Sequence, residues 1–221
     1  MGIFRAVSGR ARGFVAASLQ NRVAADLDVQ VRDLLDAAVV LWAQASWHSY
    51  NAGEDNCTVQ LYRWCTEVIR RDARFSLLTL QFQWVKLTPE MLEGLADVAT
   101  AKRPDLRIQV GGAGRALECK RLSVAGQWTR DYVRDGLARF VVGNYGQDED
   151  VGFMIGFCQN GDLDVIVDKI NDEVRLDTRL DATQVLETVT VGRDSSWSRS
   201  CHPRPAGRAI CVEHLLVRQQ L

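Results

Sequence analysis

The sequence predicts a mixed α/β domain, and three patterns along the chain indicate it. Between about residues 31 and 71, apolar residues recur at intervals of three and four, as in amphipathic helices. From Leu78 to Trp84 they alternate with polar residues, as in a strand with one buried face. The apolar run from Val151 to Cys158 is typical of a strand buried on both faces. We therefore expect a mixed central β-sheet flanked by helices.

The first half of the chain contains three predicted helices. The helical spacing places one helix over Val31–Ser46 and another up to about Arg71, with a break at 51–56 between them. After the alternating strand, the sequence Thr-Pro-Glu at 88–90 supplies an N-cap, a first-turn proline and a first-turn acid. This start signal predicts a helix through about Ala99.

A glycine-rich hairpin follows these helices. Strands are predicted at Asp105–Val110 and Arg115–Leu122, and three of the four residues between them are glycines, which favours a tight connection. The remaining predicted elements are a helix at Gln127–Val142, the strand Val151–Cys158, a helix from Asp162 to about Asn171, strands at Val185–Val191 and Arg208–Val217, and a loop at Gly192–Gly207.

Composition and charge limit the classes of protein to which this chain can belong. The 221 residues are 47% hydrophobic and carry 27 basic against 28 acidic side chains, so a polyanion would need a local basic patch. The longest uncharged apolar stretch, Ala37–Trp47, is too short for a membrane span. We expect a basic N-terminal segment and helix over residues 1–50 and the main domain over 51–221, together forming one structural unit.

The N-terminus and the cysteines bear on localisation. Residues 1–25 contain four arginines and no acid, a composition shared by transit peptides and basic amphipathic helices, and both alternatives stay open. Six cysteines occur without a secretory signal pattern, so we expect reduced thiols in a cytosol-like compartment. The expected localisation is cytoplasmic, with organellar targeting left open.

The candidate chemistry lies on the hairpin. A four-residue connection would pair Arg107 with Glu118 and Asp105 with Lys120, and all four would share one face of the sheet. Cross-strand neighbours lie close enough for Asp105 and Glu118 to hold one divalent ion, and two carboxylates with open positions suit Mg²⁺, for which Mn²⁺ is expected to substitute. The alternative is a surface hairpin with an ordinary ion pair.

The segment PDLRIQVGGAGRALECK at 104–120 resembles the motif of the PD-(D/E)XK nuclease superfamily. The resemblance implies a restriction-endonuclease-like fold in which Asp105 and Glu118 bind the metal and Lys120 orients or activates the attacking water. It also implies that the backbone carbonyl of Cys119 completes the metal shell. The superfamily often adds a glutamate from the helix before the first strand, for which Glu67 is the nearest candidate and Glu54 the next.

Taken with its chemistry, this resemblance predicts a Mg²⁺-dependent nuclease that hydrolyses phosphodiester bonds in nucleic acid. DNA is favoured as the substrate, and RNA stays open as the alternative. A role in restriction, repair or anti-phage defence is implied by resemblance alone. The alternative function is an inactive module of the same fold that binds nucleic acid or a partner protein. An activating protein partner and a homo-oligomer both stay open.

Several further residues are candidates for substrate binding. Arg121 and Arg139 could neutralise phosphates beside the metal, and Tyr132 resembles the tyrosine of a Gln-x-x-x-Tyr element in the RecB-like branch, although its spacing is one residue too long. In the predicted loop, Trp197 offers a stacking face and Arg199 and Arg204 offer positive charge. A zinc site of Cys201, His202, Cys211 and His214 is disfavoured, because Cys211 and His214 would point to opposite faces of a strand and no Cys-x-x-Cys pair occurs.

Overall fold

A seven-stranded mixed β-sheet forms the centre of the molecule. The computed structural model describes residues 17–219 apart from 86–88, 94, 96, 98–102, 193 and 206. The strands are β1 (Thr79–Phe82), β2 (Leu106–Val110), β3 (Ala113–Leu122), β4 (Val151–Cys158), β5 (Glu187–Val191), β6 (Ser195–His202) and β7 (Ile210–Arg218). Their order is β1-β2-β3-β4-β7-β6-β5, with β4 parallel to β3 and β7 and the other pairs antiparallel. The predicted mixed sheet is confirmed.

Helices cover both faces of this sheet. They are α1 (Ala17–Gln44), α2 (Glu54–Arg71), the short α3 (Pro89–Leu92), α4 (Trp128–Tyr132), α5 (Ala138–Val141) and α6 (Leu163–Leu176). A π-helical turn at Val133–Leu137 joins α4 and α5 into one continuous helix. Among the described helices, none combines the length and apolar character needed to span a bilayer. Thr88 and several later residues of the helix predicted to reach Ala99 lie outside the described residues, as does the basic segment before Ala17.

The alternation of side chains along β3 divides the interior into two apolar cores. Leu117 and Cys119 point into the core formed with α1 and α2, which includes the buried Trp42. Ala116 and Leu122 point to the opposite side, into the core beneath α4, α5 and α6. All eight residues of β4 are buried, which confirms the prediction made from its continuous apolar run.

The β2–β3 hairpin is tighter than the sequence predicted. Val110 pairs with Ala113, so the turn contains only Gly111 and Gly112, and Gly111 has the left-handed φ of +55° that favours glycine. Arg107 therefore lies opposite Ala116 instead of Glu118. The predicted pairing of Asp105 with Lys120 is likewise wrong, since Leu106 pairs with Leu117. A shift of two positions preserves the faces, so the expected shared face is retained.

Strand β6 replaces the predicted loop at Gly192–Gly207. It pairs with β5 on one side and β7 on the other. Its buried positions include Ser196, Ser198 and Ser200, so the strand lacks the apolar alternation that reveals a strand in a sequence. The predicted loop is wrong here because small hydroxyl side chains, which resemble loop residues in a sequence, fill this part of the interior.

The cysteines divide into two groups. Cys201 and Cys211 lie opposite each other on β6 and β7 and form a disulfide, so the expectation of six reduced thiols is wrong for this pair. The other four cysteines are free and buried. Because both sulfur atoms of the pair are bonded to each other, a zinc site using them is also excluded.

A buried polar chain links α4 to β6 and β7. The Tyr132 hydroxyl lies 2.8 Å from His214 Nδ1, His214 Nε2 lies 2.9 Å from Ser200 Oγ, and His202 Nε2 lies 2.9 Å from the same oxygen. Burial lowers the pKa of His202 to about 4, and burial together with the neighbouring imidazole lowers the pKa of His214 to about 3. Both imidazoles are therefore neutral in the folded protein at neutral pH.

Stability is expected to fall as the pH drops below about 6.5, the ordinary pKa of histidine, because the unfolded chain then binds protons that the folded chain excludes. Each buried imidazole should remove about 1.4 kcal/mol of unfolding free energy per pH unit until its folded pKa is reached. Urea unfolding at several pH values measures the slope. His202→Gln should reduce the slope, whereas the same change at the exposed His48 should leave it unaltered.

Candidate functional site

Three acidic and two basic side chains meet where β2 begins and β3 approaches its end. We call this group the carboxylate cluster. It contains Glu54, Asp105, Glu118, Lys120 and Arg139. Three of its members are the predicted motif residues, which the fold brings together as the sequence indicated.

Strand alternation places Glu118 and Lys120 on the same face of β3. The Lys120 Nζ atom lies 3.1 Å from Glu118 Oε1 and 2.8 Å from Glu54 Oε1. Burial alone would lower the pKa of Lys120, but the carboxylates of Glu118 and Glu54 outweigh it and raise that pKa above its usual range. The ammonium is therefore charged at neutral pH.

Asp105 lies immediately before β2 and is fixed by the neighbouring strand. Its Oδ2 accepts a 2.7 Å hydrogen bond from the Cys119 backbone N–H. Burial raises the pKa of Asp105, and burial together with the Asp105 charge raises the pKa of Glu118 to about 7. The carboxylates of Asp105 and Glu118 repel each other and are poorly solvated, so a cation bound between them would be stabilised.

Glu54 supplies the third acid, from the first turn of α2. Its Oε1 contacts Lys120, and its Oε2 accepts a 3.0 Å hydrogen bond from the Arg121 backbone N–H. The preferred candidate, Glu67, lies thirteen residues farther along the helix and pairs with the exposed Arg70 and Arg71, so it is not part of the cluster. Glu54 lies inside the predicted break at 51–56, where α2 in fact begins, so the sequence assigned it to a loop and not to a helix.

Arg139 enters the cluster from α5, close to where the sequence suggested. Its Nη1 lies 3.1 Å from Glu118 Oε1 and donates to the Tyr145 hydroxyl at 2.8 Å. The Tyr145 hydroxyl in turn donates to the Arg103 carbonyl at 3.1 Å. Tyr145 had no signal in the sequence, because its place depends on how the chain turns after α5.

The carboxylate cluster is the candidate site for a divalent cation. Glu118 is 1% exposed, and its Oε2 is buried without a hydrogen-bond partner in the described part of the chain. An ionised oxygen of this kind is costly unless a cation compensates it. Within that part of the chain, no group of three or more His, Cys, Asp or Glu side chains is arranged to hold a metal ion. The fit therefore rests on Asp105 and Glu118, with further oxygens coming from backbone, water or substrate.

Two predicted substrate-binding residues are core residues. Tyr132 is fully buried and contacts His214. Trp197 is 5% exposed, and its Nε1 donates to Asp36 Oδ1 at 2.8 Å. Neither ring can stack on a nucleic acid base in this fold, so both assignments are corrected.

The predicted arginines have different surroundings. Arg121 stacks on the Trp128 ring at 3.8 Å, one residue from Lys120. Arg199 is half-exposed and lies 3.4 Å from Glu213. The Arg204 guanidinium instead donates to the backbone carbonyls of Phe140, Tyr145, Gly146, Gln147 and Glu149. Arg204 is thus an internal brace for the chain between α5 and β4, and not a free phosphate ligand.

Two surface cavities lie away from the carboxylate cluster. One, of about 390 Å³, lies between α1 and α2 and is lined mainly by apolar side chains such as Val40 and Leu41. The other, of about 430 Å³, is lined by Arg130, Arg134 and Arg179 together with two acids. Neither contains a residue of the predicted motif.

Comparisons with protein-family models, with curated proteins and with solved structures found no match to this chain. Its function is therefore inferred from the carboxylate cluster and from the order of the elements that carry it.

Arg204→Ala is expected to lower the free energy of unfolding by roughly 1–3 kcal/mol, because several carbonyls lose a charged donor. Urea unfolding of the full chain measures this loss. The exposed Arg208 provides the matched control, and Arg208→Ala should change stability by less than about 0.5 kcal/mol. Equal stability of the two variants would contradict the bracing role.

Proposed function

We propose that this chain is a metal-dependent nuclease of the PD-(D/E)XK superfamily, which hydrolyses phosphodiester bonds in nucleic acid. The observation that carries the proposal is the meeting of Asp105, Glu118 and Lys120, with one buried Glu118 oxygen that has no hydrogen-bond partner among the described residues. The same three side chains carry the sequence motif at 104–120.

The order of elements supports the same proposal. Helix α2 is followed by β1, the short α3, β2 and β3, then by the α4–α5 helix, and then by β4, which lies parallel to β3. Through this helix–strand order we extend the resemblance beyond the motif, from Cys57 to Cys158. Glu118 lies on β3 and Asp105 lies immediately before β2, as the motif implies.

Asp105 and Glu118 would hold the Mg²⁺ ion, and Mn²⁺ should substitute for it. When bound, such an ion polarises a phosphate oxygen and lowers the pKa of a coordinated water. Lys120 is charged in the resting protein, which favours a role in orienting the attacking water or stabilising negative charge over a role as general base. Glu54 holds the Lys120 ammonium in place through its 2.8 Å contact.

Substrate phosphate would approach from the side of Arg139, whose side chain is 39% exposed. Only its Nη1 atom is engaged by the cluster, so other guanidinium N–H groups are available for a phosphate oxygen. Arg121 adds a second positive charge next to Lys120. A protein of net charge −1 needs local positive charges of this kind to bind a polyanion.

Cleavage assays test this proposal with the full chain, single- and double-stranded DNA and RNA, and Mg²⁺, Mn²⁺ or EDTA. Lys120→Met and Asp105→Asn should each reduce the cleavage rate on the order of a thousandfold. Asparagine preserves an acceptor for the Cys119 N–H, and methionine preserves most of the lysine stem, so the fold should survive both changes.

Two glutamates of helix α2 provide a matched pair for the same assay. Glu54→Gln should slow cleavage because it weakens the contact with Lys120, whereas Glu67→Gln should have no effect. Full activity in Lys120→Met, or activity in EDTA, would rule out the proposed chemistry. Salt-dependent binding of nucleic acid without cleavage would indicate the inactive binding module instead.

A further inference from the structure

We propose that the carboxylate cluster binds one divalent cation and excludes a second, because Arg139 and Lys120 already hold Glu118 Oε1 as fixed positive charges. This inference rests on the proposed function and adds to it the number of ions and a role for Arg139. Arg139 is here a positioning residue for the cation site.

The donors around the carboxylates leave few oxygens free. Both Glu54 oxygens are taken, by Lys120 Nζ and by the Arg121 N–H. Asp105 Oδ2 accepts from the Cys119 N–H. Among the described residues Glu118 Oε2 has no hydrogen-bond partner, and Asp105 is held through Oδ2, so we assign Glu118 Oε2 and Asp105 Oδ1 to the cation.

The two oxygens of Glu118 have different surroundings. Its Oε1 lies 3.1 Å from both Lys120 Nζ and Arg139 Nη1, so two cations already share this atom. Its Oε2 is buried and has no partner among the described residues. One divalent ion held between Oε2 and Asp105 would satisfy the open oxygen without displacing either basic side chain.

A second ion would have to displace Arg139 from Glu118 Oε1. Arg139 is fixed there, since its Nη1 also donates to the Tyr145 hydroxyl, which is anchored on the Arg103 carbonyl. A divalent ion brought close to this guanidinium and to the Lys120 ammonium would meet repulsion in poorly solvated surroundings.

The charges of the cluster also favour a single bound divalent ion. When ionised, Glu54, Asp105 and Glu118 carry three negative charges against the two positive charges of Lys120 and Arg139. One divalent ion turns the resulting single negative charge into a single positive charge, which one phosphodiester group neutralises. A second ion would leave a strong excess of positive charge in a partly buried site.

Titration of the full chain with Mn²⁺ alone, followed by the electron paramagnetic resonance signal of the free ion, counts the bound ions without any cleavage. Wild type should bind one Mn²⁺. Asp105→Asn should weaken that binding at least tenfold, which assigns the counted ion to the cluster. Arg139→Met should raise the count to two, whereas Arg139→Lys should keep it at one. Circular dichroism establishes that each variant is folded.

The outcomes separate this inference from the proposed function. Two ions on wild type, with metal-dependent cleavage, would overturn the single-ion inference and leave the nuclease intact. A count that stays at one in folded Arg139→Met would overturn the role of Arg139. No bound ion on wild type, together with no cleavage, would overturn both proposals. If Arg139→Met does not fold, the wild-type count and the Asp105→Asn result still decide the number of ions.

Discussion

The alternation of side chains on β3 is the constraint on which the rest of the structure depends. Leu117 and Cys119 anchor one face of the strand in the core beneath α1 and α2. Glu118 and Lys120 then necessarily point to the other face, where a buried carboxylate must be compensated. Strand β3 thus couples the apolar core beneath α1 and α2 to the carboxylate cluster. A change in the register of β3 would displace both of them.

Compensation of the buried Glu118 explains why distant segments converge on this point. Glu54 comes from the start of α2, Arg139 from α5, and Tyr145 from the turn that follows. Arg139 supplies positive charge to Glu118 directly, whereas Tyr145 holds Arg139 and Glu54 holds Lys120, the two basic side chains that contact Glu118. Among the described residues, one Glu118 oxygen still has no hydrogen-bond partner.

Arginine side chains do much of the internal bracing in this protein. Arg204 ties the chain between α5 and β4 to the loop after β6, and Arg107 pairs with Glu149 on that same stretch while packing on Trp84. Arg115 likewise reaches Asp28 on α1 from the beginning of β3. A basic residue in this sequence is therefore as readily a structural element as a ligand for a polyanion, which is why charge alone misassigned Arg204.

The sequence alone determined the fold class, the full burial of β4 and the face that Asp105, Glu118 and Lys120 share. These features follow from the spacing of apolar residues and from the alternation of side chains along a strand, which are local properties of the chain. Tertiary structure decided the rest. The choice of Glu54 over Glu67 depends on where α2 meets β3, and the burial of Trp197 depends on β6, whose serines conceal a strand. Such features arise from contacts between residues far apart in the chain, for which a single sequence carries no periodic signal.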